Sequence, residues 1–556
     1  MTAETLRRIC LLVLLSAVLK LGFLAAPRTD LLGQREAGVV KTYQVHGEEA
    51  SRAAIAIEVR EGPLLPIGDY QWTHFFGGSL VVGLAAIPFL EVFGDNFFAL
   101  KLVPLCFELA FVVFGYLLFL RLFGPRAALI GGLMLAVSSP GQAVLSTLAW
   151  GSHSSLNAFV MAGLLAHIAS LPSTLNVIGR RRELSMCFLF GLISGFAVWF
   201  GYGYILVLVA VFAFAFLRDP RFLLRVRSVL TGVGFLIGLT PWLVYNLRHD
   251  FAGMSIAGEE LGRHFSLLDV LLDLPARVFL LFSDLIPGSL GHRALGPLPG
   301  SVLAAVATIA LLALAACGLW QLRKPLNTAL RGALRGGSND IDPALLLVFH
   351  LFAYCGAMLL SDFFPAGDHS QITEYRYLAP FFPGLIGLAA FGVDRLISDG
   401  APRRGWALGA LALVLVPNLF GHATLVQPDQ YGALWNLDAD RREGHGRWIA
   451  LRWGHDNDQL VSLANAIIEH RDPEPRDRLL NGMADGLNVI IQRQQQWGGP
   501  YYNIDDLERL RATLVETLPA PYGERFREPP PRRRRNRANP PSGPDQAGSG
   551  TRTKPQ

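Results

Sequence analysis

The chain has 556 residues, 51% of them hydrophobic and 17% charged, and a mean hydropathy of +0.36. That is too apolar for an ordinary soluble protein of two or three domains and marks a polytopic membrane protein. The formal net charge of +5 is small and sorted by loop, so it reads as membrane orientation rather than nucleic-acid binding.

The first apolar run, near 9–26, follows Arg7 and Arg8. Ala25, Ala26 and Pro27 faintly resemble a signal-peptide cleavage site, but the run is read as an uncleaved span with a cytoplasmic N-terminus, in which Lys20 snorkels or faces the bundle. The stretch 43–76 then carries a charge density out of place between two apolar segments. Glu48 and Glu49 open a run in which Ala50, Ala53, Ala54 and Ile57 fall at helical spacing, the pattern of an amphipathic helix lying at a membrane surface. The next apolar run, 75–93, is rich in Gly and broken by Pro88. It is expected as a juxtamembrane or re-entrant helix, because a span there would put the later basic loops outside.

Spans are expected near 96–120, 126–141, 155–171, 185–200, 203–217 and 228–246. Their cytoplasmic turns carry Arg121 and Arg126, then Arg180, Arg181 and Arg182, then Arg218, Arg221, Arg225 and Arg227. The outer turns between them, 142–154 and 200–204, hold no Lys or Arg. A longer outer segment, 247–299, includes LLDVLLDLPARVFLLFSDLI, a half-buried piece interrupted by Pro275. Spans at 300–321, 342–361, 377–396 and 405–424 complete a total of eleven. Glu108, deep in a span, is expected to be hydrogen-bonded within the bundle. The five cysteines, Cys10, Cys106, Cys187, Cys317 and Cys355, lie in apolar runs without metal or redox spacing.

From Gln427 the sequence turns polar, with helical patterns in DQLVSLANAIIEH, RDRLLNGMADGLNVIIQ and NIDDLERLRATLVETL, the last offering Asn503 or Asp505 as an N-cap. The division is therefore a transmembrane domain at 1–425, a small extracytoplasmic helical domain at 426–525, faintly tetratricopeptide-like, and a disordered Pro- and Arg-rich tail at 526–556.

The polar residues expected near the outer face are His46, Glu48, Glu49, Arg52, His74, His153, Asn157, Tyr202, Tyr204, Arg248, Asp362, Glu374, Tyr375 and Arg376. A site built from them faces away from ATP and nucleotide sugars, so a group-transfer donor has to arrive on a lipid carrier. A carboxylate beside an apolar membrane surface suits a general base, which makes Glu48 and Glu49 the catalytic candidates against the plainer reading of two solvated charges. Arg248 and Arg376, at the outer ends of spans, are candidates for gripping a lipid-linked phosphate, or else snorkel. His153, Tyr202 and Tyr375 are candidates to line the cavity. No metal set is indicated, since His153 has no second ligand at suitable spacing; a divalent metal stays an open option, and no cofactor is assigned. P-loop, H-E-x-x-H and G-x-S-x-G motifs are absent.

The order of GEEASRAAIAIEVREG, FGDNFFALKL, YLLFLRLFGPRAALIGGLMLAVSSP, LTPWLVYNLRHDF and EYRYLAPFFP resembles the GT-C membrane glycosyltransferases, in the protein mannosyltransferase and aminoarabinose transferase branch, over roughly residues 5–420. The resemblance implies two juxtamembrane helices in the first outer loop, a polyprenyl-phosphate sugar donor, and an acidic catalytic residue at the Glu48 and Glu49 pair, Glu48 standing in the place of the family's Asp. Where the family often carries another acidic residue before a span, this chain has Gly151, Ser152, His153 and Ser154. The reading is an integral membrane glycosyltransferase acting on an extracytoplasmic lipid, glycan or protein. A flippase of a lipid-linked glycan and a catalytically silent scaffold are its rivals.

Overall fold

The computed structural model describes residues 2–25, 34–36, 39–41, 47–63, 65–71, 77–171, 179–251, 253–254, 267–292, 297–334, 341–360, 372–425, 449–450, 457–497 and 504–527. The chain is an all-α polytopic membrane protein whose only described strands, β1 (Gln34–Glu36) and β2 (Val39–Lys41), form one short antiparallel pair. It divides into two compact units, 1–448 and 449–556.

The first unit begins with α1 (Ala3–Ala25), α2 (Gly47–Glu61), α3 (Gly78–Phe93) and α4 (Phe97–Phe123). Next come α5 (Pro125–Ala136) and α6 (Pro140–Ser146), bent by 74° at their break, then α7 (Leu156–Ser170), α8 (Gly179–Phe200) and α9 (Ile205–Arg218). A second bent pair, α10 (Val226–Gly238) and α11 (Thr240–Arg248), turns by 54°. The unit continues through α12 (Leu267–Leu280), α13 (Ile286–Leu290), α14 (Pro297–Leu334), α15 (Leu345–Leu360), α16 (Phe382–Ser398) and α17 (Ala401–Leu425). Among the described residues five helices are long and apolar enough to cross a membrane, or seven if each bent pair counts once. α3, at 16 residues, is shorter than a span.

Small residues let the helix backbones approach closely where lipid offers no hydrophobic drive. Gly191 and Gly195 of α8 face Thr231 and Phe235, while Gly234 and Gly238 of α10 face Phe188 and Leu192; a Cβ on any of the four would come within 2.0–2.2 Å of a carbonyl oxygen across the interface. Gly318 of α14 and Gly392 of α16 make the same kind of crossing. α1 is tied to α4 by a buried ion pair, Lys20 Nζ to Glu108 Oε1 at 3.0 Å, with a further bond from Lys20 to Ser16 Oγ. Lys20 therefore faces the bundle, and Glu108 is paired. The α5–α6 break leaves carbonyls without helical partners. α17 supplies them: Asn418 Nδ2 donates to Val137 O and His422 Nε2 to Ser138 O, both at 2.9 Å.

Two readings of the sequence are corrected. α2 is not the half-exposed amphipathic helix its spacing suggests: Glu49 and every residue from Ser51 to Glu58 is buried, and its apolar residues pack with α3 and α4 around Ile57, Val82, Leu90, Leu100 and Val103. Its charges are accommodated because remote elements bring partners, as Asp95 does for Arg60 through two 2.9 Å bonds. Pro275 does not interrupt its helix, since α12 runs through it, with Pro275 exposed. Leu268, Leu272 and Phe279 on α12 are exposed.

In the second unit, α18 (Asn457–His470), α19 (Pro473–Trp497), α20 (Ile504–Thr517) and a 3-10 turn (Gly523–Phe526) bury Leu463, Ile467, Leu480, Leu487, Leu510, Leu514 and Phe526. Asn503 and the tail beyond 527 lie outside the described residues.

Candidate active site

The centre of the first unit's polar chemistry is Glu49. Its Oε1 accepts two bonds, from Lys101 Nζ at 2.8 Å and from the Ala149 N–H at 2.9 Å. Its Oε2 is buried and has no hydrogen-bond partner among the described residues. Lys101 comes from the first turns of α4, a helix started by Asn96, whose side chain accepts from the Ala99 N–H. The lysine also reaches Thr147 O at 3.4 Å. A buried ion pair repays its desolvation only when further hydrogen bonds complete it. Here the Ala149 N–H and the Thr147 carbonyl supply them.

Arg52, three residues further along α2, is also buried. Its Nε and Nη2 donate to Trp150 O at 3.1 and 2.9 Å, and its Nη1 to Ser51 Oγ at 2.6 Å. The chain then crosses the start of α3 so closely that a Cβ on Gly78 would lie 1.4 Å from Gly151 O, and Gly151 itself has φ +72°. His153 follows, also left-handed at φ +53°, and opens the 3-10 turn His153–Ser155 that leads into α7.

The other wall is the 3-10 segment Ile372–Phe381 ahead of α16. Two side chains fix its end: Asn157 Nδ2 donates to Ala379 O at 3.1 Å, and His350 Nε2 to Pro380 O at 3.0 Å. Tyr375 is buried, its ring filling the space that a side chain at Gly288 would need. The Arg376 guanidinium lies 5.4 Å from the Trp150 ring and 4.9 Å from the Tyr377 ring, within cation–π range. His153 meets both rings edge-on, at 5.8 Å and 5.0 Å. Burial among these rings, then the positive charges of Arg376 and Arg52, push its imidazole pKa down to about 3. Its ring is therefore neutral at physiological pH.

No protein-family model matches the sequence, and no curated protein matches it either. Among solved structures the chain is similar to ArnT from Cupriavidus metallidurans bound to undecaprenyl phosphate, with 17% identity, 90% of this chain and 84% of that one covered, and a TM-score of 0.47. The apo state of that protein gives 16%, 91%, 85% and 0.46. The archaeal oligosaccharyltransferase AglB from Archaeoglobus fulgidus, in complex with an inhibitory peptide and a dolichol-phosphate, gives 13% identity over 82% of this chain and 59% of that one, with a TM-score of 0.45. At such identities no residue role is carried across.

Of the residues expected at the site, the fold brings Glu49, His153, Tyr375 and Arg376 to one region. Tyr202 and Arg248 have their own surroundings. Tyr202 OH accepts from Trp242 Nε1 at 2.6 Å, and burial raises its pKa, partly offset by that bond. Arg248 is exposed at the end of α11, beside His249, whose Nε2 is 2.9 Å from Asp69 Oδ1. Glu48 is in α2 next to Glu49, but its side chain, that of Glu374, and His46, His74 and Asp362 are outside the described residues. Among the described residues no three His, Cys, Asp or Glu side chains are grouped to hold a metal. Lys101, Trp150 and Tyr377 were missed from sequence. Lys101 had a signal, a lone cation in an apolar run; the two aromatic residues had none.

Proposed function

We propose that the chain is an integral membrane glycosyltransferase that moves a sugar from a polyprenyl-phosphate donor to a hydroxyl or amine of an extracytoplasmic lipid, glycan or protein. The observation that carries this reading is Glu49: one carboxylate oxygen is fixed by Lys101 and the Ala149 N–H, and the other is unpaired among the described residues and buried. That asymmetry suits a general base, which has to be held in place and still offer a lone pair. The donor class rests on the sequence motifs, and the extracytoplasmic face on the basic residues of the opposite loops.

In the reaction the acceptor oxygen or nitrogen attacks the anomeric carbon as its bond to the phosphate oxygen breaks. The acceptor's proton passes to Glu49 Oε2, and polyprenyl phosphate leaves carrying the electron pair. Direct attack inverts the anomeric configuration. Arg376 stabilises the departing phosphate, with Arg248 as a second contact further out. Neutral His153, with Tyr375, orients the sugar, and Tyr202 lines the approach. Glu48 is the alternative base beside Glu49.

The test is transfer in membranes of a strain lacking the protein, complemented with wild type, Glu49→Gln or Glu48→Gln at equal expression, following polyprenyl-linked donor and finished glycan. Donor accumulation reversed by wild type but not by Glu49→Gln, with turnover down by about 100-fold or more, is the expected result. Full rescue by both variants removes the carboxylates from catalysis and puts glycan translocation first.

A further inference from the structure

Segment 147–151 forms no part of a helix or strand, yet it carries both the N–H that binds Glu49 and the ring beneath Arg376. Within it the Trp150 N–H turns back to Leu148 O at 2.9 Å. The middle of the segment is held by α2. Glu49 takes the N–H at one end of the Ala149–Trp150 dipeptide, and Arg52 takes the carbonyl at the other, with two donors on one oxygen. Residues three apart share one face of a helix, so a single turn of α2 grips the dipeptide at both poles. Ser51 Oγ receives the third donor and sets the plane of the guanidinium.

We propose that Arg52 is a positioning residue for the transfer reaction: by fixing the Trp150 carbonyl it keeps the Ala149 N–H on Glu49 Oε1, which leaves Oε2 turned to the acceptor, and keeps the Trp150 ring against His153 and Arg376. Arginine suits the task because its rigid fork puts two N–H groups on the carbonyl and a third on Ser51, whereas lysine presents one flexible point charge. The effect of Arg52 on rate passes through Glu49, and this kinetic part rests on the transferase reading above; the structural part does not.

The experiment combines two readouts on full-length protein in detergent, for wild type, Arg52→Ala and Arg52→Lys. The first is hydrogen–deuterium exchange of the peptide spanning 145–157. In Arg52→Ala its exchange accelerates roughly tenfold or more while peptides from α8 and α14 keep their wild-type rates, and guanidinium ion at a non-denaturing concentration reverses the change. The second is kinetics with the polyprenyl-phosphate sugar that accumulates in membranes lacking the protein. Arg52→Ala loses about tenfold or more in kcat with less than about a threefold change in donor KM, Arg52→Lys recovers only part of it, and guanidinium ion restores kcat. A general loss of folding instead accelerates exchange everywhere and lowers active fraction without rescue, and that outcome overturns the proposal. So does wild-type exchange at 145–157 in Arg52→Ala, whether or not the wild type transfers sugar. A wild type without transfer overturns the transferase reading, and exchange alone then decides the latch.

Discussion

At the scale of single residues, the acidic pair Glu48 and Glu49 stands out in the sequence by charge alone. That Glu49 turns inward does not, because Lys101 and Ala149 lie 52 and 100 residues away and no local pattern reports them. His153 shows the same limit: WGSHSS marks a polar turn, but the left-handed backbone and the two rings that flank it are products of the fold. Its environment makes a pH prediction. The folded state holds the imidazole neutral down to about pH 3, whereas the unfolded chain protonates it near its ordinary value of about 6.5. Between those values the unfolded state binds the extra proton, so this contribution is fully present above about pH 6.5 and is lost progressively towards pH 3. Thermal unfolding of purified protein between pH 7.5 and 4.5 should show a steeper fall in Tm for wild type than for His153→Gln. Equal slopes would mean that the ring is not held neutral.

At the scale of elements, the helical patterns were legible and their surroundings were not. α2 has the spacing of an amphipathic helix, yet it is enclosed, because its charged residues find partners on α4, on segment 147–151 and at Asp95. Periodicity records which residues share a face, whereas burial depends on what arrives from elsewhere. The Pro275 misreading is of another kind: the residue is exposed inside α12, where its tendency to end a helix is overridden. The α1–α4 contact allows a quantitative prediction. Lys20 and Glu108 are 0% and 5% exposed at their side chains, so removing either leaves an uncompensated buried charge. Lys20→Met or Glu108→Leu alone should cost about 3 kcal/mol, seen as loss of membrane yield and Tm, and the double variant should cost less than either. At α8–α10, Gly234→Leu should separate the helices, because the added side chain meets Phe188 O at the position of its first carbon; wild-type Tm in that variant would contradict the close crossing.

At the scale of the molecule, the sequence separates an apolar stretch from a polar helical one, and the structure divides at Trp448 and Ile449. The residues proposed for the reaction come from the first unit. Glu49, Arg52, Lys101, Trp150, His153 and Arg376 all belong to the first unit, and so do the side chains that fix their segments, Asn96, Asn157 and His350. The second unit buries leucine and isoleucine from α18, α19 and α20, a core of its own. A chain ending at residue 448 should therefore insert, keep its Tm within about 2 °C of the corresponding full-length transition, and transfer sugar to a simple acceptor with kcat within about threefold of wild type. The same truncation in the Glu49→Gln background should remain inactive. If instead the truncated chain inserts and melts normally but transfers nothing, the second unit supplies part of the acceptor site, and the comparison of donor and acceptor KM across a series of shorter truncations would locate it.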